Sequence, residues 1–332
     1  MLVEPEDFND FRSLTAMLGQ NPLFTQGAGG NTSIKHKEAM WIKASGAWLK
    51  DAAAKNIFVI VDQERAQAEL NYPGEPSFRR LDTFRSMRPS IETSMHVVIP
   101  HRVLAHIHCV PMLAIAIRKG ADYIFDDKLT GLKAVYVPYV KPGWELAKAV
   151  RNTYGNGMPD IFLLGNHGIV IGGRSTAEIA FLLGDITERL DVVPREYATP
   201  DISFLEHACV DGKWRLPRQV PVHSLALDPM SRAYAVGGSL FPDEIVYLGR
   251  GCYAAQEKDV PNIDPAKHPI VLVEGKGVLL AGNMSHSGEA QAECLAATLA
   301  RVPPGVELNY LKKSDEDELL NWDAEKYRQQ IS

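Results

Sequence analysis

The run Val103-Leu104-Ala105-His106-Ile107-His108-Cys109-Val110 constrains this chain more than any other stretch. It is built almost entirely of strand-forming residues, and side chains alternate between the faces of a strand. His106 and His108 therefore point one way while Val103, Ala105, Ile107 and Cys109 point the other. That second face is wholly apolar and reads as the side against a core. The two imidazoles project together, where one divalent metal could take both. A strand carrying two ordinary hydrogen-bonded polar side chains fits the same pattern, and the spacing alone leaves both readings open. Pro111 closes the strand.

A chain of 332 residues with 45% hydrophobic and 23% charged residues has room for one large α/β domain plus an addition, or for two modest domains. The net charge of -6 argues against a nucleic-acid partner, which needs a concentrated basic surface. No apolar run reaches the length of a membrane span. The acidic start, Val3-Glu4-Pro5-Glu6-Asp7, is unlike a signal peptide, so a cytoplasmic protein is expected. Cys109, Cys209, Cys252 and Cys294 lie far apart without CxxC spacing and are read as reduced thiols, Cys109 as a small core residue.

Along the chain, Phe8, Phe11, Leu14 and Leu18 recur at helical spacing with Gly19 as a stop. Gly27-Ala28-Gly29-Gly30-Asn31-Thr32-Ser33 leads into Ile34-Lys35, with Trp41-Ile42-Lys43-Ala44-Ser45-Gly46 beyond. This reads either as a plain hairpin or as an anion cradle, in which glycines open the backbone and Asn31, Ser33, Ser45, Lys35 and Lys43 surround the ligand. Ile57 to Asp62 is a strand and Asn71 to Ser77 a Pro/Gly-rich loop. Pro89 to Pro100 reads as a helix capped near Ser90, with Glu92 and His96 four apart on one face. Glu92 there either complements the helix dipole or belongs to a site, and His96 and His101 are read as structural, with support of a site as the alternative for His96.

Met112 to Lys119 is expected as a helix closed by Gly120, Val135 to Val140 as a strand and Pro142 to Val150 as a helix. Ile161 to Gly173 reads as two strands hinged at a Gly165-Asn166-His167-Gly168 tip, where tight backbone holds a histidine. Ser175-Thr176-Ala177-Glu178 is a capping box opening a helix to Leu190. A proline-punctuated passage from Pro194 to Pro229 suggests a linker, hence domains of 1–193 and 194–332. Beyond it Glu244 to Leu248 is expected as a strand, Ile270 to Ala281 as a hairpin, Ser287 to Ala300 as a helix, and Asp315 to Gln330 as one charged helix.

Four pieces then occur in order: Gly29-Gly30-Asn31-Thr32-Ser33, Lys43-Ala44-Ser45-Gly46, Pro89-Ser90-Ile91-Glu92 ahead of His106-Ile107-His108, and Asn166-His167-Gly168. Together they resemble the class II, metal-dependent aldolase/adducin family. Val137 to Leu146, Phe241 to Glu244 and Val271 to Gly277 extend the likeness to the aldolase half of bifunctional rhamnulose-1-phosphate aldolase/alcohol dehydrogenase proteins. The dehydrogenase half is expected to be absent, since no GxGxxG follows a strand.

The resemblance implies a three-layer α/β/α domain with a central, mostly antiparallel sheet, plus a small C-terminal α+β appendage, assembled as a homotetramer. It implies His106, His108 and His167 as ligands of Zn²⁺, or of another divalent metal such as Mn²⁺ or Co²⁺, with a fourth position left to substrate. It makes Glu92 the catalytic acid/base and Asn31, Ser45, Gly46 and Ser90 the phosphate-binding groups, with Gly30 shaping the loop. Ile91 departs from relatives that carry a second serine before the carboxylate. The phosphate pocket is then weakened, or the substrate carries a carboxylate instead.

The implied chemistry is retro-aldol cleavage of a phosphorylated keto sugar through a metal-stabilised enediolate, with Glu92 transferring the proton at carbon. The same apparatus suits a sugar-acid phosphate decarboxylase or a 4-epimerase. A third reading is an adducin-like interaction module without metal chemistry, which the three histidines disfavour.

Overall fold

The computed structural model describes residues 3–70, 72, 76–82 and 87–331, and the chain forms two compact units. The first runs to Met112 and continues over Asp122–Leu190 with Ile331; the second holds Leu113–Ala121 and Asp191–Gln330. Most of the loop expected over Asn71–Ser77 lies outside the described residues.

The first unit begins with helix α1 (Phe8–Gln20), then strands β1 (Asn31–His36), β2 (Ala39–Lys43) and β3 (Phe58–Asp62). Helices α2 (Gln63–Glu69) and α3 (Thr93–Val98) precede β4 (Val103–Ile107), and α4 (Val110–Ala116), whose residues from Leu113 on belong to the second unit, and α5 (Ala121–Lys128) follow it. The unit closes with β5 (Ala134–Val137), α6 (Trp144–Arg151), β6 (Ile161–Leu164), β7 (Gly168–Gly173) and α7 (Thr176–Leu190). The seven strands form one sheet in the order β3-β2-β1-β4-β7-β6-β5, antiparallel throughout except for the parallel β5–β6 pair.

Both faces of the sheet are covered, so β4 is buried along its whole length. On one face Met40, Ile42, Val61, Leu104, Phe162 and Val170 pack against α2, α3 and α6 through Leu70, Met95, Val98, Trp144 and Val150. On the other lie α1 and α7: Thr15 of α1 meets Thr32 of β1 at 2.8 Å, and Phe8 and Phe11 pack on Trp41 and Phe58. Asn31 and Ser33, one residue to either side of Thr32, thus face the α3 layer. This is the expected three-layer, mostly antiparallel architecture.

Gly19 does not stop α1. It lies inside the helix, where a Cβ would come within 2.0 Å of the Lys50 amide nitrogen, so the glycine allows the Leu49–Asp51 turn to pack close. The glycine-rich segment at 27–30 is not a hairpin turn either: the β1–β2 turn is at Lys37-Glu38, with Lys37 at φ 53°. The helix expected between Pro89 and Pro100 is shorter, with Glu92 itself at the N-cap. That expected over Met112–Lys119 begins at Val110 and ends at Ala116, and α5 was not anticipated. Ser175 accepts from the Glu178 amide at 3.3 Å, but Glu178 returns to the amide of Arg174, so the expected box closes one residue early.

In the second unit, strands β8 (Trp214–Arg215), β9 (Tyr253–Ala255), β10 (Ile270–Val273) and β11 (Gly277–Ala281) form a sheet in the order β8-β11-β10-β9. Helices α8 (Ile202–Ala208), α9 (Ser224–Leu227), α10 (Pro229–Ala235), α11 (Pro242–Leu248) and α12 (His286–Leu299) accompany it. This α+β composition is as expected, but the proline-rich passage is folded: Pro229 sits at the first helical position of α10, where its missing N–H costs nothing, and Asp228 caps the helix. The strand expected at Glu244–Leu248 is helix α11. A short apolar run does not distinguish strand from helix, and here Pro242 at the helix start, acidic residues in the first turn and Gly249 at φ 84° after the end decide it. The tail is two helices, α13 (Lys313–Asn321) and α14 (Asp323–Ile331), broken at the extended Trp322.

Candidate metal and acid/base site

Four elements of the first unit meet at one end of its sheet. β4 carries His106, fully buried, and His108 follows one residue past the strand end at 6% exposure. The β6–β7 turn carries His167, buried at 5%. That turn is tight: the amide of His167 donates to Leu164 O at 3.1 Å, and Asn166 takes the left-handed conformation at φ 53°. β4 and β7 are paired, with Ile107 opposite Ile169, and this pairing brings the tip over the HxH segment.

The three rings lie with centroids 4.9 to 5.4 Å apart, and each offers a nitrogen within 4.8 Å of the others. Gly168 makes this approach possible, since a Cβ there would stand 2.6 Å from Ile107 O and 3.1 Å from both the His106 and His108 rings. His106 Nδ1 lies 3.1 Å from Ile169 O, so that nitrogen donates to the carbonyl and the Nε2 lone pair faces inward. Three buried imidazoles with one ring thus oriented fit a divalent cation held by neutral nitrogens.

Glu92 stands beside them. Its Oε2 is 3.3 Å from His106 Nε2 and its Oε1 is 3.3 Å from His167 Nε2. Burial raises the pKa of this carboxyl, but the charges of His106, His167 and His108 and the Asn31 hydrogen bond outweigh it, to about 2. The direction follows the positive charge next to it, and the Asn31 hydrogen bond acts the same way. Glu92 does not cap α3 with its side chain. Asn31 holds it instead, donating from Nδ2 to Glu92 Oε2 at 2.7 Å and to Ser90 Oγ at 3.2 Å. Asn31 reaches this position because it opens β1 directly opposite His106.

The two loop segments also come together. Lys43 is buried and donates to Ala28 O at 2.6 Å, which ties the glycine-rich segment to the end of β2. The Ser90 amide donates to Lys43 O, and that of Ser45 to Arg88 O. Gly30 at φ 65° has no room for a Cβ, which would sit 2.8 Å from His106 O, and Gly46 follows Ser45 at φ 75°. The Ser45 hydroxyl is buried with no protein partner among the described residues. Lys35, expected as part of an anion cradle, is carried elsewhere: its ammonium donates to Ile99 O at the far end of α3, and burial lowers its pKa to about 7.

Sequence reasoning undervalued two residues. Gly168 was visible only as part of a turn. His96 is fully buried and bonds both Ser33, at 2.7 Å, and Asn31, with burial first and the His106 charge second lowering its pKa to about 3. The i, i+4 spacing of Glu92 and His96 was the available signal.

A family profile described as "Class II Aldolase and Adducin N-terminal domain" matches residues 13–190, just over half of the chain. A Bacillus subtilis (strain 168) protein described as "Uncharacterized oxidoreductase YuxG" is 28% identical over 180 residues, covering 48% of this chain and 25% of that protein. The chain thus matches only about a quarter of that relative's length. Among solved structures, the N-terminal class II aldolase domain of a conserved Thermoplasma acidophilum protein is similar at 22% identity over 57% of this chain and 94% of that one, with a TM-score of 0.49. A sugar-phosphate aldolase from Thermotoga maritima is similar at 14% identity over 56% and 94%, with a TM-score of 0.45.

Proposed function

The chain belongs to the class II aldolase and adducin family, and on that premise we propose that it is a metal-dependent aldehyde-lyase cleaving a phosphorylated keto sugar by retro-aldol chemistry. The observation that carries the reading is the convergence of His106, His108 and His167 beside the buried carboxylate of Glu92. The three histidines would hold Zn²⁺ or another divalent metal, which when bound supplies Lewis-acid polarisation of substrate oxygens.

The remaining work falls to the chain's own side chains. Glu92 gives or takes the proton at the carbon whose bond to the departing aldehyde breaks. Asn31 keeps that carboxylate in place, and with Glu92 only 5% exposed little bulk water reaches it. Ser45, Gly46 and Ser90, with Asn31 behind Ser90 and Gly30 shaping the loop, bind the substrate phosphate. The Ser45 hydroxyl, without a partner among the described residues, supports this assignment, because a buried donor of this kind suits an acceptor from a ligand.

Metal analysis of purified protein together with product analysis tests the proposal. Zinc near one per chain, lost in His106→Ala, and release of dihydroxyacetone phosphate from ketose 1-phosphates are the expected results. Release of CO₂ from keto-acid phosphates instead would move the chain to the decarboxylase reading. Metal-free protein releasing neither product would sink the enzyme assignment.

A further inference from the structure

His96 lies one turn beyond Glu92 on α3, its amide donating to Glu92 O at 3.3 Å and its ring hydrogen-bonding Ser33 and Asn31. Its Nδ1 is 2.7 Å from Ser33 Oγ, and its Nε2 bonds Asn31 Oδ1. Asn31 turns its amide nitrogen to Glu92 Oε2 and Ser90 Oγ. A side-chain amide has one accepting end and one donating end, so these contacts are coupled. Reversing the amide would set its oxygen against the Glu92 carboxylate. The arrangement is consistent throughout with one tautomer of His96: Nε2–H donates to Asn31, and Nδ1 accepts from the Ser33 hydroxyl.

The orientation of Asn31 also settles what Ser90 can do. Its oxygen accepts from Asn31 Nδ2 at 3.2 Å and from the Glu92 amide at 3.3 Å. Among the described residues its hydroxyl donates to none, which leaves the O–H for an anionic oxygen of a ligand. With the amide reversed, Asn31 Oδ1 would take that proton instead.

We propose that His96 is a positioning residue: the Ser33–His96–Asn31 chain fixes the Asn31 amide so that one NH₂ group holds both the acid/base carboxylate of Glu92 and the ligand-facing hydroxyl of Ser90. Its effect on turnover rests on the lyase reading above, while the tautomer it requires does not.

The test has two arms on the zinc-loaded full chain. In ¹⁵N-histidine-labelled protein, long-range ¹H–¹⁵N correlations of His96, assigned by their loss in His96→Gln, are expected to show a protonated Nε2 and an unprotonated Nδ1. A protonated Nδ1 overturns the proposal. In the kinetic arm, His96→Leu is expected to keep its zinc, lose about 10–100-fold in kcat and raise KM for the phosphorylated substrate. His96→Gln, which retains a donor toward Asn31, recovers most of both. A His96→Leu protein with full zinc and kcat within about twofold of wild type also overturns it. Should the wild-type protein cleave no keto-sugar phosphate, the lyase reading falls and the tautomer alone decides the positioning role.

Discussion

At the scale of single residues, Glu92 and Gly168 separate chemistry from architecture. Glu92→Gln keeps the shape and the Asn31 contact but removes the carboxylate proposed to move a proton. A fall in kcat of about 10²–10⁴-fold with unchanged zinc content is expected, measured by steady-state kinetics and metal analysis side by side. Gly168→Ala leaves every ionisable group in place, yet its methyl would press on Ile107 O and on the His106 and His108 rings. Weaker zinc binding in a competition titration is expected, with a loss of about 1–3 kcal/mol in stability by urea unfolding. Unaltered zinc affinity in this variant would show that the rings have room to retreat.

At the scale of elements, legibility depended on how much of the deciding signal was local. The β10–β11 hairpin and α7 announce themselves by periodicity and turn residues, and they form as expected. α11 does not, because the Glu244–Leu248 run within it is too short and mixed to carry a period. Its identity rests on the start and stop signals around it, and on Glu244, whose carboxylate accepts from the Leu240 amide at 2.7 Å. Burial raises the Glu244 pKa from 4.5 to about 8, with Glu316 adding to the rise and the Leu240 and Phe241 amides opposing it. The unfolded chain therefore releases this proton first, so the contribution of Glu244 to stability falls as pH rises from about 4.5 to about 8 and is level above that. Glu244→Gln is expected to flatten this dependence by on the order of 3 kcal/mol between pH 5 and pH 8, read from urea midpoints. Parallel pH profiles for variant and wild type would refute it.

At the scale of the whole molecule, no helix among the described residues is long and apolar enough to cross a membrane. Metal binding should register in one unit. Added zinc is expected to slow amide hydrogen exchange in 31–43, 103–108 and 161–173, and a chelator to reverse it, with little change in 270–299. Equal protection everywhere would contradict a site confined to the first unit. A homotetramer, expected by resemblance, predicts a light-scattering mass about four times the 36.7 kDa of the chain. What the sequence alone offered was the set of candidate groups: an HxH pair on a strand, a histidine on a tight tip, a carboxylate at a helix start and a glycine-rich segment, each left open by local spacing and picked out together by the family resemblance. What only the tertiary structure decided was their convergence. The β1-β4-β7 strand order places Asn31 opposite His106 and the His167 tip over both, and no local pattern encodes which strands become neighbours. It also decided that Lys35 points away and that His96 reaches the site through Asn31. Burial and hydrogen-bond partners belong to the packed chain, and residues distant in sequence acquire them only together.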